Sequence, residues 1–150
     1  MNTKAIESTF QFVGHTIESL TMKNTFAAFD SEMNLERNFD VVYSDIETDV
    51  DEEYIFGKIR LHVFCDIKEK ANVPTDNEKS NEYSLSLSID GCFVDNKDVS
   101  KKDFIEKLKV NGCASLYSIA RAIITGISAQ SLLSGQITLP MINVFHMLKK

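Results

Sequence analysis

Three histidines, three cysteines and a run of carboxylates are the side chains of this sequence that could do chemistry. His15 and His62 fall in segments that alternate like β-strands, and His146 lies near the C-terminus, with no nucleophilic serine or cysteine motif beside them. His62 falls on the polar face of its segment, where a solvated histidine is expected rather than a base. The histidines therefore predict no acid–base centre.

The carboxylates form a run and do not have metal-ligand spacing. The run lies within residues 45–53, lacks the central glycine of a calcium loop, and is interpreted as a solvated turn. Its members are Asp45, Glu47, Asp49, Asp51, Glu52 and Glu53. The sequence also has no glycine-rich phosphate loop, so we do not expect an enzyme.

The cysteines, Cys65, Cys92 and Cys113, are far apart and odd in number. No cysteine–cysteine or cysteine–histidine spacing suggests zinc, and a chain of this length does not need disulfides. We expect reduced, mostly buried thiols in a cytoplasmic protein, with no metal or other cofactor.

Size and charge exclude several classes of partner. The 150 residues fit one domain, 1–150, and the net charge of −6 argues against nucleic acid, because phosphate binding needs clustered Lys and Arg. The N-terminus lacks the pattern of a secretory signal. Residues 113–133 come nearest to a membrane span, but Arg121, Gln130 and several Ser and Thr interrupt them, so we predict no transmembrane helix.

Four segments have the alternation of half-buried strands. Residues 9–22 alternate with disturbances near Val13-Gly14 and Glu18-Ser19, which predict a long strand with bulges or bends. Further strands are predicted near 38–48, within 54–68 and at 83–89, with a turn region at 69–82. Strands joined in sequence order by mid-length loops predict an antiparallel sheet with one buried face.

From Ser100 onwards the period changes to that of helices. Ser100, in a capping-box-like pattern, opens a short helix that Asn111-Gly112 ends. A main helix is predicted over 113–131 and a short terminal helix over 142–149. Strands first and helices last predict an α+β fold: a four-stranded antiparallel sheet with a long C-terminal helix and a short terminal helix packed on one face.

The main helix has a core stripe on one side and a seam of small residues on the other. We interpret the seam as the contact with a neighbouring subunit; the alternative is an exposed row of small polar residues. Arg121, the helix's only charge, is expected to reach solvent or to pair with a carboxylate across that interface. The core stripe is Leu116, Ile119, Ala120, Ile123, Ile124 and Ile127, and the seam is Ala114, Ser118, Ala122, Thr125, Gly126 and Ala129.

Two segments are apolar without being periodic. Residues 24–34 and the stretch after Ser131 carry large apolar side chains, and Pro140 prevents helix formation before it in the second. Such side chains must either pack or receive an apolar partner, so both segments are candidate binding surfaces. They are Phe26, Phe29 and Met33 in the first and Leu132, Leu133, Ile137, Leu139 and Met141 in the second.

The order of these elements and several motifs resemble the SecB family of export chaperones. The motifs are TFQF at 9–12, NGCASLYSIARAIITGISAQ at 111–130 and ITLPMINV at 137–144. The residues that match the family's helix and loop are Leu116, Tyr117, Arg121, Leu139, Pro140, Ile142 and Asn143. The resemblance covers about residues 8–148 in order.

The resemblance implies a cytoplasmic, ATP-independent holdase without catalytic activity. It also implies a homotetramer, a dimer of dimers joined through the long helices. Family members hold unfolded polypeptides in apolar grooves between the sheet, the crossover after the first strand and the loop between the helices. The corresponding residues are Phe26, Phe29, Met33, Val41, Tyr43, Leu132, Leu133, Ile137, Leu139 and Met141.

Two departures from the family concern delivery of a client. Export members dock on the translocase motor SecA through carboxylates of the outer sheet face, and two of these positions are Ser19 and Lys23 here. The chain also stops at Lys149-Lys150, without the tail that helps docking. Holding a client is expected to carry over better than delivering it. The alternatives are a chaperone dedicated to one partner, such as an aggregation-prone antitoxin, and a non-chaperone binding domain on the same fold.

Overall fold

A computed structural model describes residues 7–70 and 80–149 of the chain, so most of the predicted turn region at 69–82 lies outside the described residues. The elements are β1 (Gln11–Asn24), β2 (Leu35–Val50), β3 (Tyr54–Glu69), β4 (Glu82–Asn96), α1 (Lys101–Lys107), a π-helical turn (Leu108–Gly112), α2 (Cys113–Ser131) and α3 (Val144–Met147). The strands form one antiparallel sheet in the order β1-β4-β3-β2, with β1 and β2 at its edges. The predicted α+β fold is confirmed.

The alternation of β3 and β4 places one face of the sheet, the inner face, in the core. Leu61 lies opposite Ile89 and Val63 opposite Leu87, and all four side chains are buried. The helical run from α1 to α2 contacts these two central strands. Burial of the inner face therefore stabilises the contact between the sheet and the helices.

The opposite, outer face of the sheet is largely polar. Arg60 donates to both carboxylate oxygens of Asp90, at 2.7 and 3.0 Å. The His62 ring lies between the hydroxyls of Ser44, at 2.8 Å, and Ser88, at 2.7 Å. The predicted position of His62 on the polar face is confirmed.

β1 keeps its apolar side chains on the inner face because two bulges correct its phase. Its register with β4 shifts at Val13 and again at Glu18, which confirms the predicted disturbances. As a result Phe12, Ile17 and Leu20 all lie opposite inner-face residues of β4.

The prediction of a solvated turn over the whole acidic run is wrong. Residues 45–50 belong to β2, and residues 47–50 pair with β3. Asp45, at φ 51°, lies at the register shift in this pairing. Only residues 51–53 turn, and there the Asp51 carboxylate accepts two backbone N–H groups at 2.8 and 2.7 Å. An edge strand tolerates such charge because one of its sides stays in water.

The prediction that Asn111-Gly112 ends the first helix is also wrong. The chain passes from α1 through the π-helical turn into α2 without a break, although Ser100 caps α1 as predicted. By length and composition alone, this helical run, Lys101–Ser131, could cross a membrane. The core helix of a soluble protein can meet the same two criteria. The absence of a transmembrane helix stays a prediction.

Two glycines let the helices approach the sheet closely. A Cβ on Gly57 would lie 2.5 Å from the Phe104 ring, and one on Gly91 would lie 2.6 Å from Leu116. Both helical side chains are fully buried. The sheet backbone at these points is therefore part of the packing surface for α1 and α2.

Candidate functional site

The three histidines lie on separate elements. His15 lies on β1, His62 on β3 and His146 in α3. The Ser88 hydroxyl at Nδ1 of His62 belongs to a buried side chain, and the Ser44 hydroxyl lies at Nε2 of the same ring. The arrangement links three strands, β2, β3 and β4, across the outer face.

The three cysteines lie in different environments. Cys65 and Cys113 are buried and Cys92 is exposed, so the thiols are mostly buried, as predicted. Burial raises the pKa of the Cys65 thiol to about 11 and that of Cys113 to about 12, so both stay protonated. Within the described residues, no group of three His, Cys, Asp or Glu side chains could hold a metal ion.

The apolar segment that follows α2 is anchored through its backbone. The Tyr117 hydroxyl donates to the carbonyl of Pro140 at 2.5 Å, and Arg121 Nε donates to the carbonyl of Leu139 at 3.0 Å. Arg121 Nη1 also lies 3.0 Å from Met141 Sδ. Burial raises the pKa of the Tyr117 phenol, which keeps its proton in place as the donor.

The same backbone is bonded again further along α2. The Thr125 hydroxyl donates to the carbonyl of Ile137 at 3.1 Å, and the N–H of Ile137 donates to Ser128 Oγ at 2.7 Å. The side chains of Ile137 and Leu139 are buried, whereas that of Met141 is 80% exposed. The segment therefore points two apolar side chains into the core and one out of it.

An open apolar groove lies between the inner face of β2 and the segment that leads into α3. It encloses about 290 Å³ and has Phe39, which is 44% exposed, on its β2 side. We call it the β2 groove; its lining residues are Phe39, Val41, Met141, Ile142, Asn143, His146 and Met147. A second cavity of about 90 Å³ shares Phe39 with it and extends to Leu139. Such a lining has the apolar character of a binding site, and methionine side chains can adapt to different shapes.

The crossover between β1 and β2 is joined to the segment after α2. The N–H of Phe29 donates to the carbonyl of Ser134 at 3.1 Å, and the N–H of Leu133 donates to that of Ala27 at 2.7 Å. Gly135, at φ 90°, lies against the Phe29 side chain, where a Cβ would approach to 3.0 Å. The two irregular apolar segments therefore form one unit.

The structure separates the residues that the sequence predicts to contact a client. Phe39, Ile142 and Met147 line the β2 groove but are absent from that prediction. Phe39 shares the strand face of Val41 and Tyr43, so the alternation of β2 contains the signal for it. The predicted residues divide into buried Phe26, Val41, Leu132, Ile137 and Leu139, half-buried Phe29, Met33 and Tyr43, and exposed Leu133 and Met141.

The small-residue seam of α2 is likewise divided. Arg121 and Thr125 bind the chain's own loop, so neither alternative predicted for Arg121, solvent or a carboxylate, describes its hydrogen bonds. A Cβ on Gly126 would meet nothing within 4 Å. The exposed members of the seam are Ala114, Ser118, Ala122 and Ala129. Their contact with another subunit stays a prediction.

A second apolar surface lies at the opposite edge of the sheet. The flank of α2 away from the loop carries half-buried Ile119, Ile123 and Ile127, which the sequence predicts in the core stripe. Beside it, the inner face of β1 is uncovered, with side chains 42% to 48% exposed, whereas the neighbouring inner face of β4 is buried. We call this the β1 surface; its strand residues are Phe12, Ile17, Leu20 and Met22.

The fold is that of a SecB-like chaperone. The structure matches a SecB-like chaperone from Mycobacterium tuberculosis, solved in complex with a ChAD peptide from the HigA1 antitoxin, with a TM-score of 0.58 and 13% sequence identity. The match covers 89% of this chain and 91% of that one. No family model and no curated protein matches the sequence itself. The predicted resemblance in fold is thus confirmed.

Proposed function

We propose that this protein is an ATP-independent holdase, which binds extended apolar segments of non-native polypeptides in the β2 groove and keeps them from aggregating. The observation that carries the proposal is the groove itself, an open apolar cavity of about 290 Å³ on a SecB-like fold. An exposed apolar groove at a strand and a loop suits a chain segment better than a rigid small ligand.

The proposed driving force is burial of apolar surface, at roughly 25 cal/mol per Å². A client segment across Phe39 and Met141 would bury side chains that are 44% and 80% exposed. No sequence motif is needed for such contacts, so many clients fit. The net charge of −6 favours clients that carry Lys and Arg. Binding involves no chemical step and no nucleotide.

The test is light scattering of a chemically unfolded protein diluted into buffer with increasing amounts of this protein. Suppression at near-stoichiometric ratio without nucleotide is expected. Phe39→Ser should weaken client binding about tenfold, because it removes a half-buried aromatic ring from the groove. The matched control is Phe64→Ser, since Phe64 is 43% exposed but lies on the outer face. Equal effects of both changes would reject the groove, and no suppression by the wild type would reject a general holdase.

A chaperone dedicated to one partner is the second candidate function. It is favoured by the structural match, whose solved complex contains an antitoxin peptide. A dedicated chaperone would fail the scattering test with unrelated proteins yet bind one fixed partner saturably, with proteins encoded beside it as the first to try. A non-chaperone binding domain would instead be saturated by a single small molecule or fixed folded protein.

Delivery to the translocase motor SecA is a weaker part of the proposal. Ser19 and Lys23 lie opposite Ser88 and Ser84 on the outer face, where docking in export members uses carboxylates. Lys23 is paired with Glu82 at 3.8 Å. We propose holding in the cytoplasm as the main activity, with a role in protein export depending on other contacts.

Self-association completes the proposal, as a homotetramer built from two dimers. Two surfaces are available to a second copy: the exposed seam of α2 and the β1 surface. An uncovered edge strand with an apolar face is a favourable site for another chain. Several grooves in one assembly would hold a long client with added avidity.

A further inference from the structure

We propose that one flank of α2 is a polar clamp that positions a wall of the β2 groove. The clamp consists of Tyr117, Arg121, Thr125 and Ser128, and the wall is the segment 137–141, whose residue Met141 lines the groove. The importance of the wall for binding rests on the proposed function, whereas the hold of the clamp on the wall does not.

The spacing of the clamp makes it a continuous row. Steps of four, four and three residues keep side chains on one side of a helix. The row donates to three carbonyls of the wall and accepts one N–H from it, so every one of these bonds is to the main chain. A backbone N–H or carbonyl group is the same whichever side chain its residue carries. The clamp therefore fixes the path of the wall through its backbone and leaves Met141, which is 80% exposed beside Arg121, to meet a client.

Ser128 is the member of the row that packing alone does not explain. It is fully buried, like Ala120 and Ile124 on the helix, yet it is polar. Its hydroxyl donates to the carbonyl of Thr125 at 3.1 Å and accepts the N–H of Ile137. An alanine would be the better helix former at this position. The hydrogen bond between its hydroxyl and the wall explains why this buried position carries a serine.

The clamp makes the groove ready to bind. With Ile137 and Leu139 buried and their backbone bonded, Met141 stands at the groove, where Arg121 Nη1 also lies against its sulfur. A client meets a wall that is already ordered, so binding does not carry the entropy cost of ordering it. A loosened wall should therefore weaken binding even where α2 and the sheet remain folded.

The experiment uses the double variant Tyr117→Phe/Thr125→Val, which removes two donors and keeps the shapes of both side chains. Amide hydrogen exchange over residues 137–142 should become about tenfold faster, and the affinity for an unfolded test polypeptide about tenfold weaker. The matched control is Tyr83→Phe, because the Tyr83 hydroxyl contacts Met22 Sδ and Ser131 Oγ, away from the wall. The control should change neither quantity.

Arg121 separates positioning from general stability. Arg121→Ala removes the bond to Leu139 and the contact with Met141, and Arg121→Lys keeps the charge without the guanidinium fork. We expect the alanine variant to lose more affinity than the lysine variant, at thermal unfolding temperatures close to that of Tyr83→Phe. If the affinity of these variants falls only in step with their unfolding temperature, Arg121 contributes to general stability and does not position the wall.

The remaining outcomes are also distinguishable. Unchanged exchange in the double variant, or faster exchange with unchanged affinity for a polypeptide that the wild type binds, would overturn the clamp. If the wild type binds no unfolded polypeptide, the proposed function fails, and the exchange comparison, which uses no client, decides alone whether this flank holds the wall.

Discussion

At the scale of single residues, Ser128 joins the core to the segment after α2. Its buried hydroxyl is the acceptor for the N–H of Ile137. Ser128→Ala should lower the free energy of unfolding by about 1–3 kcal/mol, because it leaves that buried N–H without a partner. Chemical denaturation measures the change. Ser118→Ala is the control, since its exposed hydroxyl bonds only within the helix, to Ala114; an equal loss in both variants would contradict the assignment.

The ion pair of Arg60 and Asp90 should make stability depend on pH. The hydrogen bond from Arg60 holds the pKa of the Asp90 carboxyl below its usual value of 3.8. A carboxylate with a lowered folded-state pKa contributes stability above its unfolded-state pKa, and this contribution is lost as pH falls through the folded-state value. Thermal unfolding measured at about pH 6 and downwards should therefore show a smaller acid-induced decrease for Asp90→Asn than for the wild type.

The control for that titration is Asp98→Asn, which alters an exposed carboxylate without an ion pair among the described residues. It should keep the acid-induced decrease of the wild type. The same dependence on pH in Asp90→Asn and the wild type would show that this pair does not contribute. Arg60 also contacts Asp45 at 3.4 Å, so part of its charge remains compensated in Asp90→Asn.

At the scale of elements, α2 carries a glycine that its own fold does not require. A Cβ at Gly126 would meet nothing within 4 Å. Gly126→Ala should therefore raise the free energy of unfolding by about 1 kcal/mol, the difference in helix propensity, when denaturation is measured at low protein concentration. A lower free energy of unfolding for Gly126→Ala under these conditions would show that a Cβ is not accommodated there. Gly126→Leu should weaken self-association if another copy packs on the seam.

The pattern of apolar and polar residues predicts an element well where the burial of each residue follows from its position in that pattern. The alternation of β3 and β4 and the two phase changes in β1 are of this kind, because a period-2 pattern reports directly which side chains are buried. The π-helical turn was not predictable in this way. Asn111-Gly112 is a helix-breaking signal, and packing of Gly112 against Ile59 and Phe93 from distant strands overrides it.

The site was only partly predictable for the same reason. The apolar segments were recognisable from composition, but whether Leu139 is buried and Met141 exposed depends on hydrogen bonds from α2. The bonds from α2 to the carbonyls of this segment join residues that are 12 to 23 positions apart in the sequence. The periodicity of neighbouring residues contains no information about contacts at that separation. Phe39 is different, because the alternation of its strand already placed it beside Val41.

At the scale of the whole molecule, the two apolar surfaces lie at opposite edges of one sheet. The β2 groove is bounded by the loop and α3, which suits an extended segment. The β1 surface is open along the strand and has isoleucines of α2 beside it, which suits a second copy of the chain. A second copy that packs on the β1 surface would leave the β2 groove uncovered.

Separation of the two surfaces predicts that assembly and client binding can be altered independently. Leu20→Asp places a charge in the β1 surface, where desolvating it against a second copy is unfavourable, so the solution mass measured by light scattering should fall. Phe39→Ser should leave that mass unchanged while weakening client binding. Each subunit of Leu20→Asp should still bind a short apolar peptide in its β2 groove. Its affinity for a long client should fall, because the avidity from several grooves in one assembly would be lost. If the wild type has more than the mass of one chain, an unchanged mass in Leu20→Asp would show that the second copy binds elsewhere, and would leave the exposed seam of α2 as the surface to alter next.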